Sequence, residues 1–117
     1  VALQLANISL LSPAAAYDQA PNLRFSSTLP DPDTGLGATL IDSATVPVNG
    51  SVDVYVVQEG AQPGTYFNVS NESALVVNSS VISATHALNG ARIFRTEPGT
   101  AELTAIKDNL TRTLTVN

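Results

Sequence analysis

The residues able to do chemistry are few, and they are scattered. His86 is the only histidine and there is no cysteine, so thiolate nucleophiles, disulfides and zinc–thiolate sites are all excluded. A hydrolase would need a base beside a nucleophile and an orienting acid. His86 instead lies in a Ser/Ala/Asn-rich stretch, SATHALNG, read as a loop or irregular turn, and no G-x-S-x-G elbow occurs. It reads as an ordinary surface histidine. The one close acidic pair, Asp31 and Asp33, sits in PDPDTGLG. Oxygen ligands at alternate positions before a glycine are the opening pattern of a calcium loop, but the acid at the fifth position and the closing glutamate are missing. A turn built on Asp-Pro-Asp accounts for the same residues. The expected catalytic, cofactor and metal residues are therefore none, and the chain is expected not to be an enzyme.

Two further motifs concern modification. Asn-x-Ser/Thr sequons stand at Asn7, Asn49, Asn68, Asn71, Asn78 and Asn109, against about two expected by chance from the composition. They permit N-glycosylation, and they are equally the residues that crowd turns and sheet faces. An intramolecular isopeptide bond would need a buried lysine. The only lysine, Lys107, falls at a hairpin tip.

The elements that must position these residues are strands. Of 117 residues 44% are hydrophobic but only 5% aromatic, so the core has to be aliphatic, which favours sheets. The chain is long enough for one domain, 1–117, burying about two-thirds of its unfolded surface. The last segment, GTAELTAIKDNLTRTLTV, is two alternating runs about Asp108-Asn109, a pair that tolerates the positive φ of a two-residue hairpin turn. That turn pairs Lys107 with Leu110, Ala105 with Arg112, Leu103 with Leu114 and Ala101 with Val116. The opposite face, Glu102, Thr104 and Ile106 against Thr115, Thr113 and Thr111, is rich in threonine and suits an exposed sheet.

Upstream, Asn49-Gly50 opens a second alternation with Val52, Val54 and Val56 inward and Ser51, Asp53 and Tyr55 outward. Leu23–Leu29 reads as a short strand. Ala38–Ile41 and Ala44–Val48 are short extended pieces, and Thr65–Val69 is another. Ala74–Ser83 fits one bulged strand or two short ones, and Asn89-Gly90 is expected to turn the chain into ARIFRT. The total is nine or ten short strands with turns every 8 to 12 residues and no amphipathic helix. Ser12 to Ala16 could form at most one helical turn. The apolar segment Val1–Leu11 needs cover on both faces, either as a strand docked in its own sandwich or as a donor strand completing a neighbour's sheet.

Two resemblances follow from these residues. PGTAELTAI followed by LTRTLTV resembles the last hairpin of bacterial immunoglobulin-like domains, and VPVNGSVDVYVV resembles their early strand; their mid-domain tryptophan has no counterpart here. SVDVYVV with the later ARIFRTEPGT is similar to an uncharacterised bacterial cell-surface family that has a V-D-V-Y-V strand and a Pro-Gly-Thr turn. Both imply an all-β, immunoglobulin-like antiparallel β-sandwich, extracellular or at the cell surface. The expected role is structural or adhesive, with protein partners that include neighbouring copies in a surface filament. A small carbohydrate-binding module of a secreted protein is the alternative, although three tyrosines and no tryptophan supply few sugar platforms.

The net charge of −5 is the wrong sign for neutralising phosphates, so no nucleic-acid partner is expected. No run of 18 apolar residues occurs, so no helical membrane insertion is expected. The start at Val1 fits both a mature product after signal-peptide removal and an excised domain.

Overall fold

The computed structural model describes residues 22–117, and the expectations for Val1–Leu11, Ser12–Ala16 and Asn7 lie outside them. Ten strands are described: β1 Leu23–Ser26, β2 Leu40–Ile41, β3 Ser43–Ala44, β4 Ser51–Glu59, β5 Tyr66–Asn68, β6 Ala74–Val77, β7 Ile82–Ala87, β8 Gly90–Arg95, β9 Ala101–Lys107 and β10 Leu110–Val116. The only helical element among the described residues is a 3₁₀ turn, Ser70–Glu72. The strands form two packed sheets, an all-β sandwich. One sheet runs β2-β1-β4-β8-β7, with β5 also on β4, and the other runs β3-β10-β9-β6. All ladders are antiparallel except β3 with β10, which is parallel.

The final hairpin has the register its alternation requires. Leu103 faces Leu114 and Ala101 faces Val116, all four buried, and Asp108 takes φ 55° in the turn. Across the interior they meet Leu23 and Phe25 of β1, Val54 and Val56 of β4, and Ala91 and Ile93 of β8. On the outer side Thr104 and Thr113 join hydroxyls at 3.0 Å, a cross-strand pair that costs no apolar burial.

β4 is the longest strand and the one on which its sheet depends. β1 takes one edge along Tyr55–Gln58, while β8 takes the other along Ser51–Val54 and β5 along Val57–Glu59. Between β8 and β5 the main chain of Val56 would be unpaired inside the fold, at real cost. Ser70 closes that gap. Its Oγ accepts from Val56 N at 2.9 Å, while Val56 O accepts from Val69 N at 2.8 Å.

Three local readings are corrected, and one that had two alternatives is decided. Residues 82–87 form β7, so His86 is on a strand and not in a turn. The hairpin after it turns on Leu88-Asn89, with Gly90 already paired to Ala87. Gly90 serves close approach instead: a Cβ there would lie 2.7 Å from Val54 O and 2.9 Å from the Tyr55 ring. The stretch Ala74–Ser83 is resolved into two strands in different sheets, β6 and β7. The strand expected over Leu23–Leu29 ends at Ser26, where its chain leaves the sheet.

Candidate functional site

Val56 and Val57 are adjacent, and both are fully buried. Alternation sends Val56 into the inter-sheet core, so Val57 points to the outer face, where a second cover must exist. The loop 27–39 crosses β4 beside it. It starts at Ser26, on the same outer row as Tyr55, and its tip bonds the far edge of β5, where Tyr66 N donates to Gly35 O at 2.7 Å. β1 and β5 lie on opposite sides of β4, so the loop crosses β4 between them.

The loop holds its shape by its own hydrogen bonds. Ser26 Oγ, fully buried, accepts from Thr39 N at 2.9 Å and donates to Thr28 O at 2.6 Å. Thr28 Oγ1 donates to Gly37 O at 2.7 Å, and Ser27 N to Thr39 O at 2.9 Å. At the tip Asp31 Oδ1 accepts from Asp33 N at 2.7 Å and Thr34 N at 3.2 Å, the Asx-turn pattern. Gly35 has φ 74°, and a Cβ there would lie 2.9 Å from Phe67 Cζ and from Thr65 Cβ. Both demands, handedness and space, require glycine.

Loop and strand together leave two concavities that share Phe67. The first, about 370 Å³, is lined by Leu29, Pro30, Pro32, Phe67, Asn68 and Asn89. The second, about 330 Å³, runs from Phe67 past Thr65 to Asp33 and Thr34. Asn68 Nδ2 donates to Asn89 O at 2.7 Å and ties β5 to the β7–β8 turn at the groove's margin. In that turn Leu88 is 86% exposed at φ 55°, a conformation that is an outlier for a bulky residue. Leu29, Leu36 and Phe67 are also exposed large apolar residues. Apolar walls with amides at one margin suit binding of an apolar or amphipathic group.

The residues singled out from the sequence do not converge on this groove, Asp33 and Asn68 excepted. His86 is exposed on β7, its Nε2 paired with Ser73 O at 2.8 Å. Among the described residues no three His, Cys, Asp or Glu side chains come together to hold a metal. Lys107 Nζ meets Asp108 Oδ2 at 3.1 Å. Of the sequons, Asn49, Asn71, Asn78 and Asn109 are exposed, whereas the Asn68 amide is taken up by the groove.

The clearest electrostatic pair lies elsewhere, on the outer face of β4 and β8. Arg92 Nε donates to Asp53 Oδ1 at 2.7 Å and Nη2 to Oδ2 at 3.0 Å. Those hydrogen bonds hold the Asp53 carboxyl below its ordinary value, against a desolvation push upward, and the charge of Arg92 adds to the lowering. The Arg92 guanidinium is raised by the same bonds. The groove itself had one legible signal in the sequence, the proline- and glycine-rich loop. Its landing place on β5 is a contact no local pattern encodes. No family model, curated protein or solved structure matches the chain.

Proposed function

We propose that the protein is an extracellular, non-catalytic immunoglobulin-like module that serves a structural or adhesive role at a cell surface and recognises protein partners through the groove around Phe67. The strand order carries the immunoglobulin-like reading: β6-β9-β10 stands where that layout has C, F and G, and β1-β4-β8-β7 where it has A, B, E and D. The adhesive reading rests on Leu29 and Phe67, exposed apolar residues that line the groove beside the loop, since loops on a rigid scaffold are where such modules carry contacts.

The test is adhesion of beads coated with the full chain to protein-coated and glycan-coated surfaces. Adhesion to protein surfaces, lost in a Leu29→Ala/Phe67→Ala variant whose melting temperature stays close to the parent's, is the expected result. Turnover of ester, peptide or glycoside substrates that His86→Ala abolishes would overturn it. The carbohydrate-binding alternative draws on the amides of Asn68 and Asn89 beside the Phe67 ring. Glycan binding that Phe67→Ala removes would replace the adhesive reading with that one.

A further inference from the structure

Among the described residues, β7 presents the longest strand edge without a partner. β2 and β3, edges of the two sheets, have two residues each, β6 has four, β3 leaves β10 open only over residues 110–114, and the outer edge of β5 is taken by Gly35 O. β7 has six residues and among the described residues pairs only with β8. The closing pair Ala87 and Gly90, and the bond from Thr96 N to Val81 O, fix the parity of that ladder. Ile82, Ala84 and His86 therefore aim their main-chain N–H and C=O groups away from β8. Long edges are ordinarily blunted by lysine, proline or a bulge. The segment ISATHA has none of these, and its histidine is turned to Ser73 O.

We propose that this edge is a self-association site, at which β7 pairs antiparallel with β7 of a second copy, Ala84 opposite Ala84. In that register Ile82 faces His86 and Ser83 faces Thr85 of the other copy, so three outward residues on each strand satisfy one another's main chain. No like charges are brought opposite each other, and the outer row becomes hydroxyl against hydroxyl, a favourable cross-strand pair. The interface is isologous and closes at two subunits. A strand of six residues buries less than the ~1,200 Å² of ordinary stable complexes, so the dimer is a weak one. This pairing is independent of the groove, and each can fail without the other.

The test uses the full chain in sedimentation equilibrium over a wide concentration range. The parent should shift from monomer to dimer, and Ala84→Pro, which removes an outward N–H at an edge that tolerates proline, should need at least tenfold more protein to do so. Cross-linking gives a second reading that does not rely on that variant folding, because the parent has no cysteine. Residues 83 and 85 of opposite copies would form a non-hydrogen-bonded pair with Cα atoms about 4.5 Å apart, inside the disulfide range of about 4.4–6.8 Å. A mixture of Ser83→Cys and Thr85→Cys proteins should form the mixed disulfide at least ten times faster than either protein alone forms its own. A parent that stays monomeric, a dimer indifferent to Ala84→Pro, or single-variant disulfides as fast as the mixed one would each overturn the proposal.

Discussion

Arg95 donates its Nε–H to the carbonyl of Val46 at 2.7 Å, joining the end of β8 to a segment 49 residues earlier in the chain. The same guanidinium donates through Nη1 to Glu97 O at 2.8 Å and Gly99 O at 2.6 Å, so it organises the Glu97-Pro98-Gly99 turn that leads into β9. Arg95 is only 3% exposed, and no carboxylate of the described residues partners it. It works as a fork of donors for three carbonyls, of which that of Val46 is buried.

Arg95→Met should therefore cost about 1–3 kcal/mol, the expense of leaving the buried Val46 carbonyl unsatisfied. Arg95→Lys should recover only part, because an ammonium cannot present the planar fork. Urea denaturation midpoints of the three proteins measure this.

The final hairpin offers a test of register. Leu114 is fully buried opposite Leu103, and Leu114→Ala should cost about 2–5 kcal/mol. Thr113→Ala, one residue away on the outer face, should cost far less. Equal shifts in denaturation midpoint would mean that the strand is paired one residue out of step.

Leu88 is held at φ 55° with 86% of its surface exposed, so burial does not offset its backbone strain. Leu88→Asn, a residue that tolerates this conformation, should stabilise the protein by about 1 kcal/mol. If the leucine is kept for contact at the groove margin, the same variant should bind protein-coated surfaces less well. A thermal melt and the bead assay, run on one preparation, separate the two effects.

The Asp53–Arg92 pair sets a pH dependence. Because the folded-state pKa of Asp53 is lowered, its contribution is present above the unfolded carboxylate value of about 3.9 and is lost as pH falls through the lower folded value. Asp53→Asn should remove that part of the acid limb and leave the remainder of the profile in place. The pair is solvent-exposed, so its effect should also fade with added salt. An NMR titration of the Asp53 carboxyl, with a midpoint below about 3.9 in the folded protein, checks the sign directly.

What the sequence determined by itself is what local periodicity and turn chemistry encode. The two-residue turn at Asp108-Asn109 and the alternation on either side leave one register that buries Leu103 and Leu114 together, and the alternation of β4 likewise sends Val54 and Val56 inward. An aliphatic, cysteine-free composition with frequent turns reads as stacked sheets for the same reason. Tertiary structure decided the rest, because it depends on contacts between residues distant in sequence. Val57 looks like any outward residue, yet it is fully buried where the loop 27–39 crosses β4 to reach Tyr66. Gly90 looks like a turn residue until Val54 O and the Tyr55 ring are found against it, which moves the turn onto Leu88 and Asn89. His86 and Ser70 carry no signal of their places in the sequence. Only the packing of β6 against β7 and the gap between β8 and β5 show that one meets Ser73 and the other fills the break beside Val56.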